Sequence, residues 1–188
     1  MKVILIVLAA LLLVGIMTGG KLVSVRNELV VERESINGAW SQVDVVLQRR
    51  ADLIPNLVET VRGFAKQEKE VLQAVADARA RLLGARAPRE RIEANTQLDG
   101  ALGRLLVVVE NYPNLKSNEN FLRLQDELAG TENRIAVERR KYNETVQKYN
   151  TTIELFPNNI VASFFSFAQN DAYFRTEPAA RTPPKVAF

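Results

Sequence analysis

The chain contains no cysteine and no histidine. Without cysteine there is no disulfide, no thiolate nucleophile and no cysteine metal site, and the redox compartment stays unmarked. Without histidine the usual general base at neutral pH, the commonest metal ligand and every His-containing triad are gone. Few catalytic mechanisms work without both, so no enzyme activity, catalytic residue or cofactor is expected. An excess of one charge is missing too. The formal net charge is only +3, and acids interleave with bases. A nucleic-acid binder gathers its basic residues on one face, so no nucleic-acid partner is expected. Arg79, Arg81, Arg86, Arg89 and Arg91 do cluster, but Asp77, Glu90 and Glu93 sit among them. They read as the solvated tip of a helix-loop-helix, against the alternative of an anion or lipid-headgroup patch. No strand pattern and no internal repeat appears.

What is present begins with a hydrophobic run. Residues 3–17 are unbroken apolar sequence, and 18–20 extend it before Lys21. That is about 18 residues, near the lower limit for crossing a bilayer. A cleaved signal peptide is the rival reading, and Met1-Lys2 suits it. No good small-x-small site closes the run, however, so 1–20 is expected to be an uncleaved transmembrane anchor. Positive charge is nearly balanced across it, with Lys2 on one side and Lys21 and Arg26 on the other. The expectation leans to a soluble part that faces outward.

The rest divides into helices. The spacing predicts helices over 22–62, 66–83, 89–111 and 119–155, with Gly63 ending the first and Pro157 the last. Residues 112–118 read as a turn, with Ser117 or Asn118 capping the last helix. An apolar stripe in the first helix recurs at Ile36, Trp40, Val43, Leu47, Ile54, Leu57, Val61 and Phe64, the steps of one buried helical face. The last helix carries Phe121, Leu124, Leu128, Ile135, Tyr142, Tyr149 and Phe156. The first and last helices are about 60 Å each and the middle pair about half that. The fold expected is therefore all-α: a transmembrane helix, then an antiparallel up-and-down four-helix bundle with long first and last helices. The bundle domain is put at 21–160, and 161–188 is an aromatic segment with an irregular proline-containing tail. The alternative runs helix one straight through Gly63.

Arg50 falls on the apolar stripe, where packing alone does not ask for it. Arg49, Arg50, Asp52 and Glu132 are the candidates for a structural ion-pair network, because an unpaired buried arginine is costly. A ligand site is the alternative. Pairing the long helices puts Arg50 near Thr131 and Glu132. Asn56, Asn133, Asn143 and Asn150 are poor helix formers and are expected to satisfy hydrogen bonds. Carboxylates are plentiful, but the Glu-x-x-His pairs of a di-metal bundle are absent, so no metal site is expected.

Near the anchor only the two long helices would be present. Leu22, Val25, Leu29, Tyr149, Ile153 and Phe156 would then be more apolar surface than two helices hide. They are the oligomer-contact candidates, unless 164–167 folds back over them. Phe164, Phe165 and Phe167 are lipid-contact candidates, with packing on the bundle as the alternative.

The run 39–61 resembles the signature of the LemA family. So do 104–116, Asn120-Phe121-Leu122-Arg123-Leu124-Gln125-Asp126-Glu127-Leu128, 131–135, Arg140-Lys141-Tyr142-Asn143, Tyr149-Asn150-Thr151 and Phe156-Pro157. The likeness covers nearly everything after the anchor, down to Val186-Ala187-Phe188. It implies a bacterial or archaeal single-pass membrane protein with an antiparallel four-helix bundle. It also implies a tie, for some relatives, to building or shaping internal membranes, and it brings no catalytic residues. Relatives often carry a histidine where this chain has Gln67. The function expected is a non-catalytic, membrane-anchored scaffold that self-associates and organises or remodels the lipid bilayer. The alternative is a monomeric adaptor for an envelope protein partner.

Overall fold

The computed structural model describes residues 2–175. Among them are six helices and no strand: α1 Lys2–Phe64, α2 Lys69–Gly84, α3 Pro88–Val109, α4 Pro113–Lys116, α5 Glu119–Glu154 and α6 Asn158–Phe164. The chain divides into two compact units. One is Met1–Ala39 with Tyr142–Asp171, the other Trp40–Lys141 with Ala172–Phe188.

The apolar stretch and the first helix of the body are one element, because α1 is continuous from Lys2. Gly15, Gly19 and Gly20 lie within it. Each costs about 1 kcal/mol relative to alanine. That is less than leaving peptide groups unpaired in an apolar medium, so the ladder persists. Thr18 turns its hydroxyl back onto Val14 O at 2.8 Å and Gly15 O at 3.1 Å. The large apolar side chains of this stretch are all exposed, from 52% at Val7 to 74% at Met17.

In the unit that holds this stretch, Val25, Leu29 and Ile36 of α1 are buried, as are Tyr142, Val146, Tyr149 and Ile153 of α5. With the buried Glu32 between Leu29 and Ile36, both sets step by three or four residues and make one stripe per helix. A third layer comes from α6, which buries Val161 and Ala162. Ser166 ends that helix in the left-handed region, at φ 57°, and the Phe167 N–H donates to Ala162 O at 2.8 Å. The following residues return along α5. Tyr149 Oη donates to Ala168 O at 3.0 Å. The Asn150 amide pairs with both backbone groups of Asn170, at 2.8 Å each. Burial pushes the Tyr149 hydroxyl pKa up, with Glu32 adding to the rise and Arg33 opposing it.

In the other unit α1 buries Val43, Leu47, Ala51, Ile54, Leu57, Val58 and Val61. Phe64, placed on that stripe by its spacing, is 43% exposed, because the helix ends there. α2 and α3 pack on each other and bury Leu72, Val75 and Leu82 with Leu98, Leu102 and Leu105. Pro55 sits inside α1 and has no N–H to give to the carbonyl four residues back. That carbonyl, on fully buried Ala51, accepts instead from Arg79 Nε of α2 at 2.7 Å. A cross-helix arginine thus fills the gap that the proline leaves.

Caps set the short connections. Glu90 reaches back to accept from the Arg86 and Ala87 N–H groups, at 3.1 and 3.3 Å, which lowers its carboxyl pKa. Tyr112 Oη donates to Glu68 at 2.9 Å, a bond that raises the tyrosine pKa. The expected turn at 112–118 contains the single-turn helix α4, and Asn118 Oδ1 caps α5 through the Phe121 N–H at 3.1 Å.

Candidate functional site

The densest polar chemistry inside the helical body surrounds Arg50, which is 6% exposed. Its stripe position turns it inward, so its charge must be met there. Arg50 Nη1 donates to Asn95 Oδ1 at 3.0 Å and to Asp99 Oδ1, both on α3. It also lies 3.1 Å from Glu132 Oε2 of α5. Arg139 approaches the same two carboxylates, at 3.7 Å from Asp99 and 4.0 Å from Glu132. Asn95, wholly buried, donates from Nδ2 to the second Asp99 oxygen at 3.0 Å. The group is two guanidiniums against two carboxylates, with an amide locking one of the acids. Its charges cancel locally, while the buried Nε groups of Arg50 and Arg139 have no hydrogen-bond partner among the described residues. It can fix the register of three helices.

Of the four residues predicted for this network, Arg50 and Glu132 meet. Arg49 is exposed. Asp52 is also exposed and takes a bond from Gln48 at 2.9 Å, one turn back on its own helix. Asn95, Asp99 and Arg139 were not among the predicted residues. Arg139 lies in a charged stretch that looks like any solvated helix face, and Asp99 is a lone charge between Glu93 and Arg104. Thr131 is buried as expected near Arg50, but its hydroxyl returns to Glu127 O.

Four of the five arginines clustered at the end of α2 and the start of α3 have protein partners. Arg81 donates to Gln97 and Arg89 pairs with Glu93. Arg91 reaches Asp44 at 2.7 Å, and Arg79 holds the Ala51 carbonyl. Further along the chain, Trp40 stacks on Phe174 at 6.2 Å, and Arg139 lies 5.0 Å over that same ring. Among the described residues no group of three or more carboxylate, histidine or cysteine side chains is arranged to hold a metal ion.

The residues proposed as oligomer contacts fall in two classes. Val25, Leu29, Tyr149 and Ile153 are buried within the chain itself, under α6 and the returning segment. Fold-back covers them, so their burial calls for no second copy. Leu22 and Phe156 are exposed, at 47% and 80%. The three phenylalanines divide likewise. Arg26 lies 5.4 Å over Phe165 and Arg33 lies 5.2 Å over Phe167, while Phe164 and Phe165 are exposed, at 81% and 43%. The rest of the proline-containing tail, 176–188, lies outside the described residues.

The sequence carries a family relationship. The LemA family model matches residues 39–188. Magnetosome protein MamQ 2 of Paramagnetospirillum magneticum is 28% identical over 183 residues, covering 84% of this chain and 67% of that protein. Magnetosome protein MamQ of Magnetospirillum gryphiswaldense is 27% identical with the same coverage. Protein LemA of Metamycoplasma hominis is 27% identical over 138 residues, covering 73% of this chain and 63% of its own length. With most of its length matched by the family model, this chain belongs to the LemA family.

Proposed function

We infer that this is a membrane-anchored, non-catalytic helical scaffold that gathers copies of itself at the bilayer and organises or remodels membrane. The observation that carries the reading is α1 itself. One helix joins an exposed apolar stretch to a body in which its buried Arg50 is met by the carboxylates of Asp99 and Glu132. The coarse assignment, a membrane-associated helical protein, follows from that apolar helix and the family. The finer arrangement proposed is an antiparallel four-helix bundle of α1, α2, α3 and α5. The Arg50 bonds to α3 and α5 and the packing of α2 on α3 support it. An inner-membrane location with the bundle on the periplasmic side is part of the same proposal. The names of the family and of the relatives are not those of enzymes, which supports the non-catalytic part of the reading.

A specific observation favours a second reading. Val25, Leu29, Tyr149 and Ile153 are buried within a single copy. A monomeric adaptor for an envelope protein suits a chain so sheltered. Mass measurement of the full-length protein in lipid nanodiscs and mild detergent separates the two. The scaffold predicts particles of several copies that grow with protein-to-lipid ratio. A single copy at every ratio would establish the adaptor instead.

A further inference from the structure

Where α1 leaves its apolar stretch, a groove of about 390 Å³ opens against the turn into α6. Met17, Leu22 and Val25 form one wall and Pro157 and Val161 the other. Its lining is almost all carbon, and the volume lies within the roughly 300–1,000 Å³ typical of ligand sites. The Thr18 hydroxyl at its edge is already bound to the helix backbone. Lys21, also at the edge, has no carboxylate partner among the described residues. Beside the groove, Phe156, Ile160 and Phe164 are exposed, at 80%, 57% and 81%.

Two features identify the occupant. The groove runs on without a break from the exposed apolar helix face that ends at Met17, so its occupant shares that helix's surroundings. Lys21 is also the first cation after Lys2, with no charge between them. It stands where hydrocarbon gives way to headgroups, at the depth a lysine reaches by extending its stem. We propose that this groove seats one acyl chain of an anionic phospholipid, with the Lys21 ammonium against its phosphate and α6 lying in the interface. The proposal rests on the membrane reading above but needs neither self-association nor an adaptor role. It makes α6 both the cover of the protein's own core and one wall of a lipid site.

The test uses the full chain with Trp40→Phe, which removes the native indole, in phosphatidylcholine nanodiscs. The reporter is Ile160→Trp, at an exposed position beside Val161. A minor fraction of the lipid carries bromine on its acyl chains, as either phosphatidylglycerol or phosphatidylcholine. Brominated phosphatidylglycerol is expected to quench this tryptophan as though enriched roughly fivefold over its mole fraction, about what one lysine near a charged surface supplies. Lys21→Gln is expected to abolish the excess. A control tryptophan at Val7→Trp, on the bare helix, should follow mole fraction for both lipids. Quenching at position 160 that only follows mole fraction, blind to headgroup, would overturn the proposal. So would no quenching there while the control is quenched, since protein would then occupy the groove. Loss of quenching at both positions would mean that the helix does not enter the bilayer, and the membrane reading would fall with the site.

Discussion

The two compact units solve the same problem in opposite ways. Each buries a charged residue on the inner stripe of α1. In the unit with the exposed apolar stretch it is Glu32, 7% exposed, whose partner is Lys148 at 3.1 Å with a side chain 73% exposed. In the other it is Arg50, enclosed by two carboxylates, an amide and a second arginine. The first charge has a single solvated counterion and the unit is closed by its own returning chain. The second is met entirely by side chains of neighbouring helices. A unit sealed by a segment can be opened by pulling the segment away. A unit locked by a charge network opens only when its helices separate. The contrast suits a protein that is rigid in one part and adjustable next to its anchor.

The largest expected effect comes from stripping the counterions of Arg50. Asp99→Asn with Glu132→Gln leaves its buried guanidinium uncompensated, at a cost of about 3–5 kcal/mol. Denaturant unfolding of the detergent-solubilised protein should show the loss. Adding Arg50→Met to the same background should restore most of it, because an apolar side chain needs no counterion. If the double variant unfolds like the parent, the network does not lock that unit and the contrast fails.

Next comes the bond that replaces a missing one. Arg79→Ala leaves the buried Ala51 carbonyl without a donor and is expected to cost about 1–3 kcal/mol. In a Pro55→Ala background the backbone N–H of residue 55 can supply that bond, so the same change should cost clearly less. Equal costs in both backgrounds would show that Arg79 acts by packing or charge and not as the donor that Pro55 lacks.

How much of this was legible depends on which helix faces which. Glu132 followed from the lengths of the two long helices, since pairing them brings residue 132 beside residue 50. Asn95 and Asp99 lie on α3, whose rotation about its own axis is set by tertiary packing, and nothing local marks them. Asp52 looked equivalent to Glu132 in sequence, but two residues on from Arg50 a helix has turned it to the outside. The boundary after residue 20 marks the end of the apolar run, and Gly19 and Gly20 beside it weaken a helix without ending it. For 164–167 the sequence left lipid contact and packing on the bundle both open. Just beyond it, the Asn150–Asn170 and Tyr149–Ala168 bonds join polar residues to backbone 20 and 19 positions away. No periodicity encodes such a contact.

The smallest effect expected is the most selective. Asn150→Ala removes both amide bonds to Asn170, and each is worth about 1 kcal/mol when its partners can turn to water instead. Global unfolding should therefore move little. Hydrogen exchange of the segment 158–170 should rise sharply, because opening it needs only local separation. Exchange around Arg50, Asn95 and Asp99 should not change. If both regions quicken together, the returning segment is part of one cooperative structure and the division into an adjustable and a locked unit is wrong. If only the segment quickens, Val25, Leu29, Tyr149 and Ile153 become intermittently exposed beside the anchor. The stripe that one copy normally covers would then be available to a second, and self-association would be governed by how often this segment lifts.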